Sequence, residues 1–211
     1  MECKKALLES RLHRLPEAHH SIQAAAAVLA DHPLHPGQAA VRLALGRVHL
    51  LEGFSTRGIR ALEEGLQMAS ASAPSEGHGI HAALLAELGC AQAHRGQFQR
   101  ALANLQSAQR LQEHGRRFGD LGHTLIHIGQ TYAYLGQPEP AYRYLREALQ
   151  MARMQGDAGL QAECHLSIGS FRSTQQLLGD AVSHLDRAIE GFSRQGNRHL
   201  LTTARVWKAR T

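Results

Sequence analysis

The sequence predicts an all-α chain, a right-handed α-solenoid of antiparallel helix pairs with about five units and a C-terminal helix. Three observations carry this. Gly89, Gly129 and Gly169 stand 40 residues apart, preceded by Leu88, Ile128 and Ile168 and followed twelve positions on by Ala101, Ala141 and Ala181. A repeat of this period is one supersecondary unit that cannot bury its apolar face alone, so copies must stack. The composition agrees, with 43% hydrophobic residues, only 5% aromatics and a single Trp207. Ala, Leu, Arg and Gln dominate, and these are strong helix formers. The third observation is punctuation: Gly53, Gly96 and Gly136 each fall seven residues after Gly46, Gly89 and Gly129, where a first helix has to stop.

Apolar residues at helical spacing predict eleven helices, at about 2–13, 16–31, 37–52, 55–72, 78–95, 98–114, 119–135, 139–155, 159–175, 179–195 and 198–210. Pro16 and Pro140 sit in first turns, where a missing N–H costs little, and Pro33 and Pro36 bracket a turn. Gly115, Gly156 and Gly196 end second helices. Residues 70–79, rich in Ala, Ser, Pro and Gly, read as an elongated loop between repeats, with a domain boundary as the alternative. One domain over 1–211 is expected, with units at about 1–36, 37–77, 78–117, 118–157 and 158–197 and a terminal helix at 198–210.

The formal charge is +5, nearly all of it Arg, since Lys is confined to Lys4, Lys5 and Lys208. Arg100, Arg110, Arg143, Arg146, Arg153, Arg187 and Arg194 recur along the second helices beside Glu147, Asp186 and Glu190. That is a solvated surface with local ion pairs and not the clustered stripe of a nucleic-acid binder. Cys3, Cys90 and Cys164 are odd in number without CxxC spacing, which fits thiols in a reducing cytoplasm. The first residues lack a signal-peptide apolar stretch, and no window approaches a membrane span. The expected setting is cytoplasmic, with no membrane contact.

With the frame fixed, the chain resembles the tetratricopeptide repeat (TPR) family, in its long-helix variety of about 40 residues per unit. Leu45-Gly46 is followed by Gly58, Leu62 and Gly65; Leu88-Gly89 by Ala101, Leu105 and Ala108; Ile128-Gly129 by Ala141, Leu145 and Ala148; Ile168-Gly169 by Ala181, Leu185 and Ala188. A fifth unit at the N-terminus is degenerate: Ala18, Ile22 and Ala25 fit, with Ala6 where the glycine would stand. The last full unit departs too, because Gln176 replaces the turn glycine and Gly179 comes three residues late, so its first helix is expected to run on or bend.

Catalytic signatures are missing: there is no GxxxxGK[ST] phosphate loop, no GxSxG elbow and no HExxH helix. Gly191 to Gly196 has the wrong spacing for a nucleophile turn and ends a helix. Of 15 histidines, His123 and His127 lie four apart and His78 and His81 three apart, but neither pair has a third ligand of obvious spacing, and surface or capping roles are favoured. No catalytic residue, metal or cofactor is assigned, and the chain is read as a non-enzyme.

The resemblance implies a concave groove lined by first helices. Transferred residue by residue, it would present Leu43, Arg47 and Leu50; Ala86, Cys90 and His94; His123, Ile126, Gln130 and Tyr134; and Glu163, Ser170 and Thr174. The family's carboxylate-holding positions carry Ala44, Glu87, Cys90 and His127 here, which argues against a clamp of that kind. Tyr134, His94 and Gln130 combine an apolar body with a polar tip, as binding surfaces do, whereas Tyr132 and Tyr134 could equally pack between helices. Leu200, Leu201, Ala204 and Trp207 form an apolar face with no evident partner, expected to meet a downstream effector domain or to make a homodimer.

The functional expectation is a non-catalytic protein–protein interaction module, of the sensory or regulatory kind found in bacterial signalling proteins. Turns such as Met154-Gln155-Gly156-Asp157 and Arg194-Gln195-Gly196-Asn197 look like those of bacterial transcription activators, peptide-responsive regulators and diguanylate cyclase sensor regions. The alternatives are a small-peptide receptor of quorum-sensing-regulator type and an assembly scaffold.

Overall fold

The computed structural model describes residues 15–32, 35, 37–71 and 74–211, and every regular element among them is a helix. The helix expected at 2–13, Ala6, Cys3 and the prolines at 33 and 36 lie outside the described residues. Packing divides the chain into two compact units, Met1–Arg117 and Phe118–Thr211. The division coincides with a repeat boundary predicted from the sequence.

The first unit contains α1 (Leu15–Val28), α2 (Gly37–Leu51), α3 (Ser55–Ala71), α4 (Pro74–His94) and α5 (Phe98–His114). The second contains α6 (Phe118–Tyr134), α7 (Pro138–Met154), α8 (Ala158–Thr174), α9 (Leu178–Gln195) and α10 (Arg198–Ala209). No described helix is long and apolar enough to cross a membrane. One expected element is corrected. The backbone of 74–79 is helical, so α4 starts at Pro74, and of the long loop read at 70–79 the first two residues end α3 and the last six begin α4. A proline at the first helical position needs no N–H partner, which the loop-like composition concealed.

Each unit is held by the same lock. The glycine of a first helix lies against a leucine of the following second helix, sixteen residues on in every case: Gly46 on Leu62, Gly89 on Leu105, Gly129 on Leu145 and Gly169 on Leu185. A methyl group at Gly129 would stand 2.8 Å from Leu145 Cγ and 3.0 Å from the Ala141 carbonyl oxygen; at Gly89 the corresponding distances are 2.7 and 3.0 Å. The small residues therefore set a backbone approach that no Cβ permits. Around these locks Leu62, Leu105, Leu145 and Leu185 are fully buried. At roughly 1.5–3 kcal/mol for each fully buried leucine, these four anchor the cores of both units.

The helix ends repeat just as strictly. Asp157 N–H donates to the Ala152 carbonyl at 3.0 Å, and Gly156 N–H to that of Arg153 at 3.1 Å, the paired bonds of a Schellman stop. The same two bonds close α2, α4, α5, α6, α8 and α9. The stop places one residue in the left-handed region, and from the end of α4 onward those residues are 96, 116, 136, 156, 176 and 196, one every 20 residues. Four are glycine, but Arg116 (φ 52°) and Gln176 (φ 62°) are not. Two readings are corrected here. Gly115 has φ −79° and is not the left-handed residue of its turn; Arg116 is. And α8 neither runs on nor bends for want of a glycine, because it stops at Thr174 and Gln176 accepts the strained conformation. The next helices start on side-chain caps where the residue allows: Asp157 Oδ1 accepts from Leu160 N–H at 2.9 Å and Asn197 Oδ1 from Leu200 N–H at 3.2 Å.

Between α8 and α9 the Nδ1 atoms of His165 and His184 lie 2.9 Å apart, one donating and the other accepting. That bond requires the accepting ring to be neutral. Burial, then the neighbouring His184 and the cations Arg187 and Arg153, lower the His165 pKa from 6.5 to about 4. Burial and Arg187 lower that of His184 as well. Cys164, buried one residue earlier, is pushed up to about 12 and is inert as a nucleophile.

Three outcomes follow from this architecture. Gly129→Val and Ala141→Leu should each lose about 1–3 kcal/mol by overpacking the same joint, lowering the thermal midpoint by several degrees; an unchanged melt would remove the lock. Gln176→Gly should raise the midpoint by relieving a left-handed non-glycine residue, a gain of about 0.5–1 kcal/mol. For His165 the folded pKa lies below the unfolded value, so acid protonates the unfolded chain first. Stability should fall as pH drops from 6.5 toward 4. Melts of the His165→Gln variant over that range should show a shallower fall than the parent.

Candidate functional site

The inner side of each unit is identified by which helices meet. In the first unit α2 touches α4, whereas among the described residues α3 and α5 do not touch. In the second, α6 touches α8 and α8 touches α10, while α7 and α9 stay apart in the same sense. Stacks that bring first helices together and splay second helices curve with the first helices inside. The sequence-predicted surface residues lie on these first helices.

Their neighbours are set by the repeat. Arg47 Nε on α2 meets Glu87 Oε1 on α4 at 3.0 Å, and His123 Nδ1 on α6 meets Glu163 Oε2 on α8 at 3.2 Å. Each pair is 40 residues apart, one register position on successive first helices. Gln130 Nε2 on α6 donates to Ser167 Oγ on α8 at 3.0 Å. Partly exposed pairs of this kind contribute a few tenths of a kcal/mol to about 1 kcal/mol each. Their larger effect is to fix the spacing of the first helices.

Relative to the lock glycine, the next position holds Arg47, Cys90, Gln130 and Ser170, all half-buried on the inner side. Four residues further, His94, Tyr134 and Thr174 are the last residues of α4, α6 and α8 and are exposed. Tyr134 keeps 63% of its surface in solvent, so it is not the packing residue that Tyr132 is, with its ring stacked 5.6 Å from Tyr144. The Thr174 hydroxyl donates to the Phe171 carbonyl and that of Ser170 to the Ser167 carbonyl. Ala86 is half-buried.

Three predicted lining residues are corrected. Leu43 is 3% exposed and packs with Leu62, Leu84 and Leu88; Ile126 is 4% exposed and belongs to the core around Leu145 and Leu160. Both precede the lock glycine by three residues, which puts them on its buried side. Leu50 lies on Gly58 and fills the same core as Leu43. The positions that would hold a carboxylate offer it little: Ala44 is fully buried and Glu87 is already paired.

The C-terminal face is corrected more fully. Ala204 is fully buried, and Leu200 and Leu201 pack with it against Ala162, Ala188 and Phe192 of α8 and α9. These residues are consumed inside the second unit and do not form an open apolar face. The other side of α10 is polar: Lys208 stands where α8 has Ile168, and its Nζ meets Asp186 Oδ1 at 2.6 Å. The sequence frame could have shown this, since adding 40 to Ser167 and Ser170 gives Trp207 and Arg210 and puts both on the inner side. Arg210 was missed for that reason.

Among the described residues no group of three His, Cys, Asp or Glu side chains could hold a metal ion. His123 is engaged by Glu163 and the side chain of His78 is not described.

No family model matches the chain, and no curated protein matches it by sequence. Solved structures do. The apo form of RapI superposes with a TM-score of 0.74 at 13% identity, covering 93% of this chain and 70% of its own. A Signal Transduction ATPase with Numerous Domains with a tetratricopeptide repeat sensor, from Pyrococcus horikoshii, gives 0.75 at 16% identity, covering 98% of this chain and 31% of its own. A Rap protein complexed with Competence and Sporulation Factor gives 0.65 at 14% identity, covering 99% of this chain and 61% of its own. At these identities the likeness is one of fold, and the chain spans less than two thirds of two of the three. The fold is that of the tetratricopeptide repeat.

Proposed function

We propose that the chain is a non-catalytic interaction module of a regulatory or sensory protein, binding a polypeptide along the inner first-helix surface of its units. The observation that carries this is that each unit by itself presents half-buried and exposed polar side chains on its inner side, Arg47, Cys90 and His94 in the first and Gln130, Tyr134, Ser170 and Thr174 in the second, beside the inter-repeat contacts Arg47–Glu87 and His123–Glu163. Adaptable hydroxyl and amide tips beside an exposed tyrosine are suited to hydrogen-bonding a peptide backbone. The reading is supported by the tetratricopeptide repeat sensor of a signal transduction ATPase, which has the same fold. A bacterial, cytoplasmic setting goes with it, to which cysteines outside any disulfide, Cys90 and Cys164, are suited.

A second reading, a receptor for a small peptide signal, is favoured by the Rap protein complexed with Competence and Sporulation Factor. The two differ in consequence: a receptor changes its curvature on binding, while a docking module keeps its shape.

Panning a random-peptide display library on the purified chain should enrich a consensus peptide. That peptide should bind the Gln130→Ala/Tyr134→Ala double variant about tenfold more weakly, a loss of about 1.4 kcal/mol. Equal affinity for a double variant with a parental circular dichroism spectrum would remove the inner surface of the second unit. A fall in scattering radius on adding the peptide selects the receptor reading.

A further inference from the structure

The charges of the second unit are unevenly placed. Residues 191–211 carry Arg194, Arg198, Arg205, Lys208 and Arg210 and not one carboxylate side chain. Two of the five are neutralised locally, Arg194 by Glu190 and Lys208 by Asp186. Arg210 is different. Its guanidinium carbon lies 5.5 Å from the centroid of the Trp207 ring, which it covers. Trp207 is half-buried, so one part of the ring is fixed and the rest is open. The pair belongs to the inner surface by register, 40 residues beyond Ser167 and Ser170. It is tied there by the Thr211 hydroxyl, which bonds the Trp207 carbonyl at 2.9 Å and lies 3.3 Å from Ser173 Oγ on α8.

We infer that Trp207 and Arg210 form the anchor of the inner surface for an acidic segment of a polypeptide partner, the ring taking an aliphatic or aromatic stem and the guanidinium a carboxylate. This rests on the inner-surface reading above and goes beyond it in naming the partner's charge. Charge complementarity supplies the sign. Glu163, an acid on the inner side of this unit, already meets His123 at 3.2 Å and does not compete for Arg210. Arg stacked on Trp is pre-organised: its planar fork loses little freedom on gripping a carboxylate with two parallel bonds. Tryptophan and arginine are also the side chains that most often dominate binding energy at interfaces.

Trp207 is the only tryptophan in the chain, so intrinsic fluorescence reads this site alone. The experiment titrates the full chain with a glutamate-rich peptide of about ten residues carrying one phenylalanine, with its glutamine counterpart, and with a single-stranded RNA of similar charge. The glutamate peptide should shift the emission saturably, the glutamine peptide should not, and binding should weaken as salt is raised. Arg210→Ala should lower affinity about tenfold and Arg210→Lys less, whereas Arg205→Ala, on the solvent side of α10, should change it little. Calorimetry on Trp207→Phe checks the ring without relying on fluorescence and should show a weakened but measurable interaction. No response to the glutamate peptide, equal response to the glutamine peptide, or equal loss in Arg205→Ala overturns the anchor. Stronger binding of RNA with the same dependence on Arg210 overturns it in favour of a nucleic-acid surface. Binding that is lost in Gln130→Ala/Tyr134→Ala but not in Arg210→Ala sinks the anchor and leaves the inner surface standing.

Discussion

The backbone approach between a first-helix glycine and the leucine sixteen residues later is the constraint on which the other features depend. With Gly129 against Leu145 and the Ala141 carbonyl, there is no room for even a methyl group, so the two helices of a pair have one distance and one rotation available. Because Gly46, Gly89 and Gly169 impose the same contact on Leu62, Leu105 and Leu185, each pair adopts the same geometry. The inner strip is a consequence. The residue after each lock glycine is carried about 100° round the helix, out of the joint and onto the inner side, whatever its identity. Arg47, Cys90, Gln130 and Ser170 share a place without sharing chemistry, which is how one scaffold presents different surfaces.

The helix stops extend the same economy. Paired Schellman bonds recur at the ends of α2 and of α4 to α9, and the left-handed residues of the later stops fall every 20 residues, so first and second helices are cut to nearly equal length. Arg116 and Gln176 show that the bonding pattern and the packing behind it dictate the stop, and that glycine merely lowers its cost. A strain of about 1–2 kcal/mol at a single residue is too small to displace a helix end whose two carbonyls are satisfied and whose leucines are buried on both sides.

The sequence was most legible where repetition multiplied a weak signal. A lone Leu-Gly pair says little, but four in register located the helix pairs to within one or two residues over most of their length. It was least legible where an element had a single copy or where rotation mattered. Pro74 begins a helix inside a stretch with loop composition, and no other unit has an equivalent to reveal it. Leu43 and Ile126 were placed on the surface because the transferred arc was too wide by three residues, almost one helical turn, and at that distance a side chain returns to the buried side of the glycine. The inter-repeat pairs Arg47–Glu87 and His123–Glu163 were within reach of the same 40-residue arithmetic.

The last helix shows the difference between an apolar face and an open one. Leu200, Leu201 and Ala204 have the pattern of a surface awaiting a partner, but an amphipathic helix packed on a preceding pair has two sides with different duties. One side closes the core of the preceding pair, here against Ala162, Ala188 and Phe192. The other would have to be apolar as well if another second helix were to pack on it as α9 packs on α8. It is not: Lys208 replaces the isoleucine that α6 and α8 carry at that register, and its ion pair with Asp186 holds the ammonium at the rim. The apolar half of α10 therefore belongs to folding, and its cationic and aromatic residues, Arg210 over Trp207 foremost, are left to recognition.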